Sequence, residues 1–388
     1  TFYLICSNIK DFKFINEIFG MEKGNQVLIK QAKLMASNPS ERTICARLMN
    51  DRFALCLPRE EFDEKRVADS VKELQCEFTG NSFHLHMYMG VYEIRDRDEA
   101  VSIMVDNDNI AADTIKNNYD CCVAYYDEHL LEISIEQRRL LGEFEPALQN
   151  DEFVMYLQPQ VKRDGAAKGA EALVRWVHPS RGILTPYAFI DILENAGLIY
   201  KLDLYIWEKA AQKLAEWKEK GYGSYHISVN ISTKDFYIID IYETFTGLIN
   251  KYGIAASNLH LEITETTLMT DFEKNMNIIH KLQGVGFRVE IDDFGSGYSS
   301  LNMLKDISAD VLKIDMGFLR KSENEVKGQD ILESIITLAG KIGMDVITEG
   351  VETKKQLDML TMMGCHEFQG YYFSKPVPVS EFEEKYLV

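Results

Sequence analysis

The sequence predicts two domains of different architecture, a small α+β domain followed by an α/β barrel of the (β/α)8 TIM type. Residues 151–388 contain eight apolar strand candidates, and most of them are followed by a segment with helical hydrophobic spacing. Residues 1–126 instead follow the order strand, helix, strand, strand, helix, strand, which is typical of a ferredoxin-like sheet. The length of 388 residues is sufficient for both domains.

The elements of the first domain are predicted from alternating strand and helix patterns. Strands are expected at 1–8, 43–48, 53–57, 83–92 and 121–126, and helices at 22–36, 61–75 and 100–116. From residue 127 the pattern becomes helical and charged, which indicates a semi-rigid helical linker. We therefore place the first domain at 1–127, the linker at 128–142 and the barrel domain at 143–388.

The barrel strands are predicted at 153–160, 170–176, 225–231, 259–263, 287–291, 311–314, 345–348 and 367–373. Only residues 161–169 separate the first two of these strands, and they include the hairpin turn signal Asp164-Gly165. A parallel pair needs a crossover of a dozen or more residues. We therefore expect the first two strands to pair antiparallel, which makes the barrel a modified one.

Composition restricts the class of partner and the compartment. The chain has 42 basic and 61 acidic residues, a net charge of −19, and such a surface repels DNA and RNA. Its seven cysteines show no CxxC spacing, which favours reduced thiols in the cytoplasm. The sequence contains no apolar stretch long enough to span a bilayer and no signal peptide.

The first residues read as the interior of a strand. We therefore expect a fragment of a longer protein, with an upstream sensor or membrane module missing from this sequence. On this view the fragment is cytoplasmic, either by itself or as the cytosolic part of a membrane-anchored protein.

Polar side chains recur near the ends of the barrel strands: Gln158, Glu171, Arg175, Asn230, Glu262, Glu265, Asp292, Asp293, Lys313, Asp315, Glu349 and Gln369. In a barrel of this type the C-terminal strand ends form the active-site face. A single strand-end carboxylate is more often the N-cap of the next helix. Polar residues at every strand end favour a functional site instead.

Several carboxylates converging on one rim would repel one another unless cations neutralise them. Because the set contains oxygen ligands and neither Cys nor His, it favours Mg²⁺ or Mn²⁺. The pair Asp292-Asp293 suits two ions about 3.5–4 Å apart, and Lys313 would add a positive charge near a phosphate or its attacking water. The Gly-rich segment 293–300 could approach a phosphate closely.

These residues resemble a known family. The run Glu171-Ala172-Leu173, followed by Val174-Arg175-Trp176, is similar to the signature of EAL-domain phosphodiesterases. Further motifs of that family stand at Tyr156–Pro159, Ser228–Asn230, Glu262–Glu265, Asp292–Leu301, Lys313–Asp315, Thr348–Glu352 and Gln369–Tyr371. The resemblance covers the whole predicted barrel domain.

The resemblance implies hydrolysis of cyclic-di-GMP to linear pGpG at a site with two Mg²⁺ or Mn²⁺ ions. It places Glu171, Asn230, Glu262 and Asp292 around the first ion, and Asp292, Asp293 and Glu349 at the second. Lys313 would position or deprotonate the attacking water, and Glu349 is the rival for that base. Glu265 would anchor the Gly-rich loop.

The same resemblance implies substrate contacts from Gln158, Leu173, Arg175, Asp315 and Gln369. It also implies a homodimer formed through the barrel. Two other hypotheses remain: a cyclic-di-GMP receptor that binds without cleavage, and an unrelated barrel metallohydrolase. Receptors of this kind usually lack metal ligands, and here every ligand position of the motif is retained.

The first domain resembles GGDEF domains, the diguanylate cyclases. Residues 7–16 are similar to the family's DxDxFKxIN strand, and the turn Met49-Asn50-Asp51-Arg52 occupies the place of the signature. Asn8 and Lys10 replace the two metal-binding Asp residues, and Arg52 replaces the activating acidic residue. The resemblance therefore implies a degenerate domain that has lost GTP condensation.

Two further positions bear on what the degenerate domain does. Ser40 and Thr43 occupy the ends of the family's RxxD product-inhibition site, so that site is absent. Asn16 persists, which keeps residual purine binding open. A structural, regulatory or dimerising module is the favoured interpretation.

Overall fold

The computed structural model describes residues 1–37, 40–76, 85–118, 120–294, 307–317 and 325–387. Its contacts divide the chain into two compact units, Thr1–Arg139 and Leu140–Val388. Each unit is described by itself. No helix within the described ranges combines the length and the apolar character needed to cross a bilayer. All seven cysteines are free thiols.

The first unit is built on a five-stranded sheet with the strand order β2-β3-β1-β4-β5. The strands are β1 Phe2–Ile9, β2 Ile44–Arg47, β3 Phe53–Pro58, β4 Met87–Ile94 and β5 Val123–Tyr125. Only the β4–β5 pair is parallel among the described pairings. The helices are α1 Phe12–Phe19, α2 Met21–Ala36, α3 Glu64–Gln75 and α4 Val101–Ile115.

Helix α1 lies where the sequence pattern predicted no element. It has eight residues and buries only Ile15, so its apolar period is too short to be recognised. Gly20 separates it from α2 with a φ of 84°, a conformation that glycine adopts without steric cost. The remaining elements of this unit lie within a few residues of their predicted positions.

In the second unit, eight strands close into a barrel. They are β6 Phe153–Lys162, β7 Ala167–His178, β9 His226–Ile231, β10 Leu259–Thr264, β11 Val289–Phe294, β12 Val311–Asp315, β13 Asp345–Glu349 and β14 Glu367–Phe368. Two short strands, β8 Gly182–Leu184 and β15 Val377–Pro378, add to β7 and β6. Helix α5 Glu128–Gln149 has residues in both units, because the boundary falls between Arg139 and Leu140. The other helices are α6 Ile190–Ala196, α7 Ile199–Glu219, α8 Asp235–Ile238, α9 Ile241–Tyr252, α10 Glu265–Thr270, α11 Phe272–Val285, α12 Glu325–Lys341, α13 Lys354–Met362 and α14 Val379–Tyr386.

The barrel is modified in the predicted way. Strand β6 pairs antiparallel with β7 on one side and with β14 on the other, whereas the pairs from β7–β9 to β13–β14 are parallel. This confirms the expected TIM-type barrel with an antiparallel first hairpin.

Two local predictions differ from the structure. Strand β14 ends at Phe368 rather than at residue 373, because the chain then passes so close to β13's loop that a Cβ on Gly370 would lie 2.2 Å from the Val351 carbonyl oxygen. The pair Thr185-Pro186 in the sequence predicts a helix over 185–195, with Thr185 as its N-cap and Pro186 at the first helical position. Instead a single 3₁₀ turn at Pro186–Ala188 precedes α6, and the Thr185 side chain makes no capping hydrogen bond.

Large apolar side chains fill the layer between the barrel strands and the surrounding helices. Trp176, Trp207, Trp217, Phe153 and Phe382 are all fully buried there, and the rings of Trp217 and Phe382 stack at 5.6 Å. The interior of the barrel is different, because buried Gln, Glu, His and Lys side chains occupy several of its strands. A polar interior is costly unless every charge is compensated, so it is the place to look for chemistry.

Candidate active site

The C-terminal ends of the parallel strands bring most of the predicted residues together. Glu262 pairs in register with Asn230 on one side and Glu290 on the other, and Thr264 pairs with Asp292. The next strand, β12, carries Lys313 and ends at Asp315. Asp315 pairs in register with Glu349, the last residue of β13. Parallel register therefore sets these polar groups around one rim.

Lys313 lies at the centre of this rim and is completely buried. Its Nζ lies 2.7 Å from Glu349 Oε1, 2.8 Å from Glu262 Oε1, and 3.4 Å from both Glu171 Oε2 and Asp292 Oδ1. One ammonium group therefore faces four carboxylates that come from four different strands. The rim has an excess of negative charge that the described residues leave uncompensated.

Glu171 is held by amide side chains as well as by Lys313. Gln369 Nε2 donates to Glu171 Oε2 at 2.5 Å and lies 3.4 Å from Gln158 Oε1, and Asn230 Nδ2 donates to Glu171 Oε1 at 3.1 Å. These contacts connect β6, β7, β9 and the residue after β14. They orient the carboxylate that opens the EAL signature.

The electrostatics reflect this crowding. Burial raises the pKa of Glu262 well above its ordinary value, and the neighbouring charge of Glu171 raises it further. Burial likewise raises the pKa of Glu349 to about 8, although Lys313 opposes the shift. Burial alone would lower the pKa of Lys313, but Asp292, Glu171 and the other two carboxylates together hold it well above its ordinary value.

A backbone irregularity separates the paired aspartates. The register between β11 and β12 shifts between Ile291 and Phe294, and Asp293 has a φ of 56°. Asp is one of the few residues other than glycine that tolerates this left-handed region. In a regular strand, Asp292 and Asp293 would face opposite sides. The bulge breaks that alternation next to the rim, as bulges near active sites often do.

Of the predicted substrate-contacting residues, Gln158 and Gln369 lie beside Glu171 at the centre of the rim, and the other three lie around it. The Arg175 guanidinium lies 5.4 Å from the centre of the Tyr156 ring and donates to the Val174 carbonyl at 2.8 Å. Asp315 is exposed and accepts a hydrogen bond from the Gly317 backbone N–H at 2.6 Å. Leu173 lies on β7 opposite Tyr156.

Glu265 is the first residue of α10. The Gly-rich loop that it was predicted to anchor falls mostly in 295–306, outside the described residues. The anchoring role of Glu265 therefore stays a prediction.

The donor set fits hard divalent cations. Glu262 Oε2 is buried and has no hydrogen-bond partner within the described chain, and the buried Oε1 of Glu262, Oδ1 of Asp292 and Oε1 of Glu349 all share the single ammonium of Lys313. Buried polar atoms are normally hydrogen-bonded, and oxygen-only sets favour Mg²⁺ or Mn²⁺. These oxygens are therefore consistent with metal ligands.

Sequence reasoning missed a second polar layer below the rim. This layer consists of five buried residues that lie two or four positions from a predicted rim residue on the same strand. They are Gln160, His226, Ser228, His260 and Glu290. The period of two in a strand was the available signal, because it places alternate residues on the same face. It was applied only to the strand ends.

In the first unit, the positions that correspond to the GGDEF signature are engaged in internal hydrogen bonds. Asn8 Nδ2 donates to the Tyr88 hydroxyl at 2.8 Å, and Asp51 Oδ2 accepts from the Ile9 backbone N–H at 2.9 Å. Asn50 adopts a φ of 54° in the turn between β2 and β3. A Cβ on Gly24 would lie 2.0 Å from Asn16 Oδ1, so glycine is needed for Asn16 to occupy its position.

Comparisons with known proteins agree with this organisation. A family model described as EAL domain matches residues 142–376, and one described as diguanylate cyclase, GGDEF domain, matches residues 1–120. The chain is 29% identical over 394 residues to the bifunctional diguanylate cyclase/cyclic di-GMP phosphodiesterase MucR of Pseudomonas aeruginosa, covering 98% of this chain and 56% of MucR. It is 33% identical over 240 residues to the cyclic di-GMP phosphodiesterase PdeR of Escherichia coli, covering 62% of this chain and 36% of PdeR.

Among solved structures, the PaMucR phosphodiesterase in complex with c-di-GMP matches with a TM-score of 0.60 at 33% identity, covering 63% of this chain and 99% of that one. The chain spans about half the length of most of the curated relatives that it matches, 56% of MucR and 48% of YkoW among them.

Proposed function

The chain belongs to the EAL domain family, and on that premise we propose that it hydrolyses cyclic-di-GMP to linear pGpG with the help of two divalent metal ions. The single observation that carries the proposal is the rim itself. Four carboxylates from four strands surround one ammonium group, and the buried Oε2 of Glu262 has no hydrogen-bond partner among the described residues. MucR and PdeR are named as phosphodiesterases of the same cyclic dinucleotide.

The residues that would hold the metal ions follow from this arrangement. Glu171, Asn230, Glu262 and Asp292 would hold the first ion, and Asp292 would share the second with Asp293 and Glu349. The ions are Mg²⁺ or Mn²⁺ because the ligands are oxygen atoms. Bound ions of this kind supply Lewis acidity and lower the pKa of a coordinated water.

The remaining rim residues act on the substrate and the water. Hydrolysis adds water across one P–O bond, so the macrocycle opens to a terminal phosphate and a free hydroxyl. Lys313 places a positive charge where negative charge develops on the phosphate, as preorganised cations do at such sites. Lys313 and Glu349 are the two candidates for the group that takes the proton from the attacking water, and Lys313 could do so only after losing its own proton, which its raised pKa opposes.

Recognition of the dinucleotide would come from side chains at and around the rim that are not metal ligands. Arg175 offers the planar cation that suits phosphate, and Gln158, Leu173, Asp315 and Gln369 complete the contacting set. Because the net charge of the chain is −19, an anionic ligand needs these local cations and the metal ions to approach the rim. We exclude DNA and RNA as partners on the same ground.

The first domain, by this proposal, is an inactive GGDEF module that regulates or dimerises the protein. The positions that would bind its metal are Asn8 and Lys10, and Asn8 is hydrogen-bonded to Tyr88. We further propose a cytoplasmic location and a homodimer formed through the barrel.

The experiment is incubation of the purified chain with cyclic-di-GMP and Mg²⁺ or Mn²⁺, with EDTA as control, followed by chromatography for pGpG. Metal-dependent formation of pGpG is the expected result. Binding of intact cyclic-di-GMP without cleavage would instead identify a receptor. Failure to bind it at all would contradict cyclic-di-GMP as the substrate.

A further inference from the structure

A buried cluster of metal-ligating side chains lies below the rim, at the opposite end of the barrel. His226 is the first residue of β9, His260 the second of β10 and Glu290 the second of β11. Potential ligand atoms of the three residues all lie within 4.8 Å of one another. The cluster is therefore spatially and chemically separate from the oxygen-only rim.

Direct contacts hold the cluster together. Nδ1 of His260 lies 2.5 Å from Glu290 Oε1, which also accepts from Ser228 Oγ at 3.2 Å. Glu290 is completely buried, and its second oxygen, Oε2, has no hydrogen-bond partner among the described residues, so it is open to a positive group. The rings of His226 and His260 stack in parallel at 3.8 Å, so they have to turn for both lone pairs to reach one ion.

Neighbouring residues fix the orientation of His226. Its Nε2 lies 2.7 Å from Gln160 Oε1, which only accepts, so His226 carries its proton on Nε2 and keeps Nδ1 as a lone-pair donor. Metal-bound histidines commonly donate their other ring N–H to such an acceptor. A Cβ on Gly169 would lie 2.4 Å from His226 Cδ2, so the adjacent strand leaves room for the imidazole only because glycine stands there.

We propose that His226, His260 and Glu290 bind one Zn²⁺ ion inside the N-terminal end of the barrel. Two histidines and one glutamate form a common zinc set, whereas the rim lacks nitrogen ligands and suits Mg²⁺ or Mn²⁺. Two ligands of one tetrahedral zinc ion lie roughly 3.3 Å apart, so the ion replaces the short His260–Glu290 hydrogen bond and occupies the space between them.

The role of this ion is structural. It joins three neighbouring strands, β9, β10 and β11, each of which also supplies a residue to the rim. In barrels of this type the N-terminal face contributes stability rather than catalysis. Zinc binding therefore fixes the bottom of the strands whose tops carry Asn230, Glu262 and Asp292.

The test uses the full chain, stripped of metal with a chelator and then dialysed against Zn²⁺ in excess Mg²⁺, which saturates oxygen-only sites. Metal analysis should find one zinc ion per chain. X-ray absorption at the zinc edge should show the multiple scattering of two imidazole ligands. An intact chain that retains no zinc, or a zinc environment without imidazole, would overturn the proposal and leave the cluster as a hydrogen-bonded ion pair.

Three variants assign the zinc to the cluster. His260→Gln should lose the bound zinc, whereas His280→Gln, at an exposed position on α11, should keep it. Asp292→Asn, which removes a rim ligand, should also keep it. Loss of zinc in Asp292→Asn with retention in His260→Gln would place the ion at the rim and refute the proposal. If His260→Gln does not fold, the absorption spectrum of the unmodified chain decides the question, and none of these readouts depends on phosphodiesterase activity.

Discussion

The barrel rim and the GGDEF-like turn are the two places where this chain retains the outline of a metal-dependent site, and they differ in how their polar groups are satisfied. At the rim, four carboxylates share the single ammonium of Lys313, and the buried Oε2 of Glu262 has no hydrogen-bond partner in the described chain. In the turn region, Asn8 is bonded to Tyr88, and Asp51 accepts from the backbone of Ile9. The rim thus has more carboxylates than the one ammonium can neutralise, and this part of the first domain satisfies its groups internally.

The contrast shows that a family resemblance and a working site are separate matters. Both units carry the backbone of their families, but only the rim retains carboxylates at the matching ligand positions. Function is carried by the chemistry of specific side chains rather than by the fold. The following predictions test this contrast, from the largest expected effect to the smallest.

Removing the central ammonium should have the largest effect. Lys313→Met leaves four carboxylates without their buried counter-charge, and breaking a buried pair in this way costs about 3–5 kcal/mol. We expect the free energy of unfolding in EDTA to fall by about that amount and turnover to be lost. Denaturant unfolding measures the first effect, with Lys341→Met, at an exposed position on α12, as the control. A stability equal to that of the control would contradict the central position of Lys313.

Removing one metal ligand should abolish turnover without a loss of stability. Glu262→Gln keeps the shape of the side chain but takes away a charge that burial and Glu171 disfavour in the metal-free protein. Mutation of a residue that only supports a metal ligand typically lowers metal affinity or activity by about 10–100-fold. For a ligand itself we therefore expect kcat to fall by more than ~100-fold. The unfolding free energy in EDTA should not decrease. Exposed Glu273 provides the matched Glu273→Gln control, and near-normal turnover by the Glu262 variant would refute the assignment of this ligand.

Substrate recognition can be separated from catalysis at the rim's edge. Arg175→Met removes the planar cation near Tyr156 but no metal ligand. An interaction made equally in the ground state and the transition state affects KM alone. We expect KM for cyclic-di-GMP to rise by about tenfold with little change in kcat, measured by steady-state kinetics. A fall in kcat at constant KM would move Arg175 from recognition to catalysis.

The stability of the metal-free protein should fall as pH rises, which is the opposite of ordinary acid denaturation. Because the pKa of Glu349 is raised from 4.5 to about 8, the folded chain holds this proton more tightly than the unfolded chain between those values. The associated stability is present at low pH and is lost as pH rises through this window. In EDTA we expect a loss of at most about 1.4 kcal/mol for each pH unit within this window. Glu349→Gln should remove this component, and an unchanged slope in that variant would show that another group is responsible.

Much of the fold was predictable because its signals are periodic. Eight alternating strand and helix patterns indicated the barrel, and the nine-residue gap with Asp164-Gly165 indicated the antiparallel hairpin that β6 and β7 form. Helix α1 was missed because two turns with one buried residue give no clear period. The early end of β14 depends on the approach of Val351 to Gly370, which is a tertiary contact that no local pattern contains.

The site was predictable in part for the same reason. Strand-end carboxylates indicated a rim, and Lys313, Glu171, Glu262, Asp292 and Glu349 do meet there. The roles of these residues stay predictions. The His226, His260 and Glu290 cluster was missed, because its members belong to three strands far apart in sequence. Their convergence depends on the strand register.

In the most direct test, one preparation of the full chain is incubated in two separate reactions, one with GTP and one with cyclic-di-GMP. Each reaction contains Mg²⁺ or Mn²⁺. The account predicts pGpG from cyclic-di-GMP and no cyclic-di-GMP from GTP, because only the barrel rim retains its metal ligands. Formation of cyclic-di-GMP from GTP, or of its cleavage product pGpG, would contradict the inactivity assigned to Asn8, Lys10 and Arg52. Intact cyclic-di-GMP in the other reaction would contradict the assignment of the rim as a catalytic site.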